Sequence, residues 1–137
     1  NYISVIRLTE KVMPKLLGKP EAAIVNITSV VAFVPADIVP TYSASKAALH
    51  SYTQSLRLSL GKFSNVKVFE VMPPVVDTEF SKAIPGQNRM APANVASDIL
   101  QGIESNEVEM HLGATRVFFE MFKGDSSVAL AAMNKLS

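Results

Sequence analysis

An α/β fold, with a parallel sheet covered by helices, is what this sequence predicts, and three observations carry that reading. Segments with helical and strand-like patterning alternate from one end of the chain to the other, which is the order of a parallel sheet joined by helical crossovers. The strand-like runs are short, apolar and rich in β-branched residues, as buried parallel strands are. Proline and glycine fall between the patterned segments and mark where each one ends.

Taken in order, Ile3, Ile6, Leu8, Val12, Met13, Leu16 and Leu17 recur at near-helical spacing, predicting a helix that stops around Gly18-Lys19-Pro20. Residues 22–27 (Ala-Ala-Ile-Val-Asn-Ile) then read as a strand covered on both faces. A loop with Pro35 and Pro40 follows. Residues 42–60 contain neither Pro nor Gly, and Gly61 stands where a helix would be capped. Residues 66–72 form a second strand, ended by Pro73-Pro74. A proline-bounded loop over 85–92 leads to a helix over 93–105, a third strand over 108–112, and a helical stretch over 115–135 with a break near Gly124. Three strands are few for such a sheet, and the first should want a neighbour on its open apolar edge. The chain opens at Asn1 directly into a helical pattern. Both points lead us to expect one partial domain, 1–137, whose missing neighbour lies in an amino-terminal part of a longer protein.

Composition narrows the function classes. The chain has 137 residues, 48% hydrophobic and 18% charged, which suits a folded domain and excludes a disordered one. Its formal charge of +1 gives no electrostatic reason to expect nucleic acid. No stretch is long and apolar enough to predict a membrane span. There is no cysteine, so disulfides and thiolate metal sites are excluded, in keeping with the cytoplasmic location we expect.

The chemistry-bearing signal is Tyr42-Ser43-Ala44-Ser45-Lys46 at the start of a predicted helix. Tyr42 and Lys46 share one helical face. A phenol titrating near pH 10 is a poor base, but a cation about 4 Å away at an effective dielectric near 20 is worth roughly 4 kcal/mol, or about three pKa units. That brings tyrosine within reach of acid/base work near neutral pH. Thirteen residues earlier, Ser29 stands at the carboxyl end of the first strand, the edge at which ligands bind in open α/β sheets. Taken singly, Tyr42 and Lys46 are also an ordinary pair of helix residues, Asn1 is a helix cap, and Thr78 caps whatever follows it. His50 and His111 have no partner at ligand spacing and read as structural or surface residues.

The strand ending in Asn26-Ile27-Thr28-Ser29, the Tyr42–Lys46 run and the later Pro73-x-x-Val76-x-Thr78 together resemble the short-chain dehydrogenase/reductase family, in order and spacing, over residues 1–78. The resemblance implies the C-terminal half of a Rossmann-like doubly wound parallel sheet and hydride transfer between nicotinamide, as NAD or NADP, and a small carbonyl or alcohol substrate. By the same resemblance Tyr42 is the proton donor or acceptor, Lys46 lowers the tyrosine pKa and binds the nicotinamide ribose, and Ser29 orients the substrate oxygen. Asn1 would hold a water of a proton relay, and Pro73, Val76 and Thr78 would lie at the nicotinamide carboxamide. It further implies a homodimer or homo-oligomer packed through helices 3–17 and 42–60. The run from Pro73 to Phe80 and the C-terminal helix are also similar to bacterial members linked to D-alanine esterification of lipoteichoic acid.

Two departures stand out. Pro73-Pro74 replaces the family's Pro-Gly, and proline fixes φ and removes an N–H. The six glycines never cluster, so no phosphate-cradling loop is present and the chain is expected to hold the cofactor weakly or not at all. Two rival readings remain. Ser43-x-x-Lys46 also fits an acyl-transfer nucleophile, but the Ser-Asp-Asn and Lys-Thr-Gly partners of that site do not occur. The other rival is a non-catalytic, self-associating module.

Overall fold

The computed structural model describes residues 1–84 and 88–135; Pro85, the first proline of the 85–92 loop, lies outside them. Helix α1 (Ile3–Leu17) leads to strand β1 (Ala22–Ile27), and helix α2 (Pro40–Leu60) leads to strand β2 (Val66–Met72). Helix α3 (Pro92–Glu104), strand β3 (Glu109–His111), and helices α4 (Ala114–Gly124) and α5 (Ser126–Asn134) complete the chain. Short 3-10 turns at Val30–Ala32 and Glu79–Ser81 follow the first two strands. Each predicted element is found, with ends shifted by a residue or two. Helix α2 starts earlier than predicted because Pro40 occupies its first turn, where a missing N–H costs nothing and the fixed φ already suits a helix. The break near Gly124 falls at Asp125, whose carboxylate accepts from the Ser127 amide at 2.8 Å and caps α5.

The sheet is wholly parallel, in the order β1-β2-β3. Ala22 pairs with Val66 and Ile27 with Val71, while Val71 pairs with Met110. Strand β2 is therefore central and buried along its length apart from Lys67. Its alternation sorts the core. Phe69 and Val71 point with Met110 and Leu112 towards Val95, Ile99 and Ile103, three of them on α3. Val66 and Val68 point the other way, towards Met13 and Leu16 of α1 and Leu56 and Leu60 of α2. Helices thus cover both faces.

Strand β1 departs from the expectation of a strand covered on both faces. It lies at the edge of the sheet, only Asn26 is fully buried, and Ala23 and Ile27 are exposed. An edge strand has packing partners on one side only, which its apolar sequence does not reveal. Among the described residues, no helix is long and apolar enough to cross a membrane.

Met110 is the central side chain of β3, 1% exposed and laid directly against Gly102 of α3. Met110→Ala is expected to cost about 2–5 kcal/mol through the cavity it leaves, measured by urea denaturation. A loss well under 1 kcal/mol would mean that α3 closes down onto the sheet.

Candidate active site

The carboxyl ends of β1 and β2 and the first turns of α2 converge on one region. After Ile27 the chain leaves β1 with Thr28 and Ser29, both buried. The Thr28 amide still donates to the Val71 carbonyl at 2.8 Å, and the Val30 amide donates to the Pro73 carbonyl at 3.3 Å. The loops that follow the two strands are therefore tied to each other. Ser29 has an extended backbone and its hydroxyl oxygen accepts from the Val31 amide at 3.4 Å, capping the short turn.

Three of the predicted residues come together here. Tyr42 and Lys46, one turn apart on α2, face the end of β1. The Lys46 ammonium donates to the Ile27 carbonyl at 2.7 Å and lies 5.5 Å from the centre of the Tyr42 ring. Burial raises the Tyr42 phenol above its usual value, and the nearby Ser29 hydroxyl opposes that rise. Burial also lowers the Lys46 pKa. The Lys46 ammonium is directed at the Ile27 carbonyl and is not among the causes of the Tyr42 shift. Phe80 leans over the Tyr42 ring at 6.3 Å and is 77% exposed, giving the region an apolar rim.

The remaining predicted residues are placed less decisively. Val76 pairs briefly with Met90, and its carbonyl accepts from the Ser81 hydroxyl at 2.5 Å. Thr78 opens the Glu79–Ser81 turn and its amide donates to the Ser81 hydroxyl at 3.3 Å. Pro74 packs near Gly113, whose φ of 50° is one that side chains avoid, so the proline ring is met by a residue without one. Asn1 is exposed ahead of α1 and makes no side-chain hydrogen bond to Ser29, Tyr42 or Lys46 among the described residues.

Behind the site runs a line of polar contacts along the same face of α2. Continuing along it, His50 Nδ1 donates to the Glu70 carboxylate, 2.9 Å from each oxygen. Thr53 Oγ1 accepts from the Asn26 amide group at 2.9 Å. Arg57 reaches the Val68 carbonyl at 2.8 Å and Glu109 at 2.8 Å. Glu70 is fully buried and also accepts from the Thr28 hydroxyl at 2.7 Å. His50 was read from sequence as structural or surface. The signals that locate its partner are its position one turn past Lys46 and the presence of a glutamate inside Val68-Phe69-Glu70-Val71, since an ionised group in a buried strand needs a partner. His111, by contrast, stacks on Phe119 at 3.8 Å and is a packing residue.

Residues 1–89 match the short chain dehydrogenase family. The chain belongs to that family. It is 34% identical over 115 residues to the uncharacterized oxidoreductase DltE of Bacillus subtilis (strain 168), a match that covers 80% of this chain and 45% of the relative. A short chain dehydrogenase from Burkholderia cenocepacia J2315, solved in complex with NADP, superposes with a TM-score of 0.88 at 26% identity, covering 96% of this chain and 55% of that one. A short chain dehydrogenase/reductase from Burkholderia phymatum, solved with NAD, shares the fold with a TM-score of 0.66 at 20% identity, over 88% of this chain and 55% of that one. The chain thus spans about half the length of these family members. The parallel sheet with helices on both faces is the Rossmann architecture of these neighbours.

The His50–Glu70 pair has a measurable signature. The hydrogen bond to Glu70 raises the His50 pKa, helped by the charges of Glu70 and of Glu109 on β3 and opposed by burial and by Arg57 on α2. A raised folded-state pKa stabilises the fold fully below about pH 6.5, and the contribution is lost as pH rises through the folded value. The stability difference between wild type and His50→Asn should therefore be larger near about pH 6 than near about pH 9. Urea denaturation at both pH values checks this, and a difference that grows with pH would contradict it.

Proposed function

We propose that these residues are the catalytic half of a nicotinamide-dependent oxidoreductase that reduces a small carbonyl compound, or oxidises the corresponding alcohol, with Tyr42 as the acid/base. The observation that carries the proposal is the convergence of Ser29, Tyr42 and Lys46 at the carboxyl end of β1. General acid catalysis by a phenol placed there contributes about 10²–10⁴-fold.

The donor set fits the nicotinamide half of NAD or NADP. A partly buried ammonium and two hydroxyls at a strand's carboxyl end match the hydroxyls of a ribose and the oxygen of a substrate. The set does not extend to the phosphates: the described glycines are dispersed along the chain, and the one with positive φ, Gly113, lies beside Pro74. When bound, the nicotinamide supplies the hydride. Tyr42 gives its proton to the substrate oxygen, or takes one in the reverse direction. Ser29 holds that oxygen. Lys46 binds the ribose and replaces the proton lost from the phenol. Pro73, Val76 and Thr78 would flank the carboxamide, and Asn1 would hold a relay water.

The nucleotide-binding part would be supplied by an amino-terminal half paired with the open edge of β1. Self-association through α1 and α2 is part of the same proposal, supported by the exposed Ile3 and Leu8 on α1 and Leu58 on α2. A non-catalytic module is favoured by no particular observation beyond those apolar residues.

Titrating the 137-residue chain with NADH and NADPH, followed by cofactor fluorescence, tests the division of labour. No saturation in the micromolar range is expected. Micromolar binding would mean that the phosphates are held by residues outside the proposed set.

A further inference from the structure

We infer that Thr28, Glu70 and His50 form a clamp of positioning residues that fixes the strand end carrying Ser29 relative to the helix carrying Tyr42. This rests on the reading of Tyr42 as the acid/base, and it adds three residues to the machinery that orients it.

The clamp follows from a chain of contacts. Glu70 belongs to β2, the central strand, and its carboxylate has no solvent access. Burying an ionised carboxylate costs several kcal/mol unless its oxygens are paired. Here Oε1 accepts from Thr28 Oγ1 at 2.7 Å, and both oxygens accept from His50 Nδ1 at 2.9 Å. One arm therefore fixes the residue immediately before Ser29. The other fixes α2 one turn beyond Lys46 and two turns beyond Tyr42. An apolar contact would let the helix slide along the sheet at little cost, because dispersion has no direction. Short hydrogen bonds to a buried charge do not permit that, since a slip leaves the charge unpaired.

Position matters because Ser29 and Tyr42 stand on different elements. Ser29 is carried by β1 and Tyr42 by α2, and no covalent connection shorter than the loop between them sets their separation. The Lys46 bond to Ile27 fixes the same junction from the other side. Thus Ile27, Thr28 and Ser29 each meet α2 or its buried partner. A free-standing structural role for Glu70 would stabilise the fold without affecting the phenol. The clamp predicts that it does both.

The test reads the phenol and not turnover. Tyr2→Phe and Tyr52→Phe leave Tyr42 as the single tyrosine, labelled as 3-fluorotyrosine so that its ionisation is followed by fluorine NMR at moderately alkaline pH. Ser29→Ala removes the hydroxyl donor outright and gives the reference shift, which should be upward. Thr28→Val, which keeps the shape and removes the hydroxyl, should also move the Tyr42 midpoint upward. Thr28→Ser should restore it. Ile103→Ala, in the core on the far face of the sheet, should lower the thermal midpoint and leave the phenol where it was. Should Thr28→Val not fold, His50→Leu cuts the other arm and predicts the same upward shift. If Thr28→Val leaves the midpoint unchanged, or Ile103→Ala moves it equally, the clamp is wrong. Because no cofactor or substrate is added, that failure is separate from any failure of Tyr42 to support turnover.

Discussion

Where α2 lies along β1 decides whether a tyrosine on one element and a serine on the other can act on the same oxygen atom. In this chain a line of hydrogen bonds helps to set that position. Along one face of α2, Lys46, His50, Thr53 and Arg57 each bond to the sheet beneath, to Ile27, Glu70, Asn26 and Val68 respectively. The spacing of four, four, three and four residues from Tyr42 onward keeps all of them on the buried side of the helix. Apolar packing gathers under α3, beneath the ends of α1 and α2, and around Val30, Val31 and Ala36, where Tyr42 itself packs. Hydrogen bonds and apolar contacts therefore act together on the helix that carries Tyr42.

The two kinds of contact differ in how much of them could be read from sequence. The element order was legible because apolar periodicity and proline punctuation are local properties, and Tyr42, Lys46 and Ser29 were legible because their spacing is. The break at Asp125 was signalled by Gly124 and the serines that follow it. The open edge of β1 was legible from the shortage of strands, but the exposure of Ala23 and Ile27 was not, since its residues read as those of a covered strand. The line of contacts behind the site was half-legible: His50 falls in register with Lys46, but its partner is twenty residues away on another strand. A long-range pair leaves no periodic trace in a single sequence.

The same limit applies to the electrostatics. An i, i+4 lysine beside a tyrosine invites the expectation of a lowered phenol pKa. The side chain instead reaches the Ile27 carbonyl, and burial pushes the phenol upward. The spacing says that the two groups share a face; it does not say which neighbour the ammonium chooses.

The claim that Tyr42 performs that transfer is tested most directly by turnover. The measurement is NAD(P)H consumption across a panel of carbonyl compounds, using a polypeptide that joins these residues to a nucleotide-binding half. Tyr42→Phe is expected to lower kcat by about 10²–10⁴-fold while leaving cofactor affinity nearly unchanged. A Tyr42→Phe protein that turns over at the wild-type rate would contradict the account.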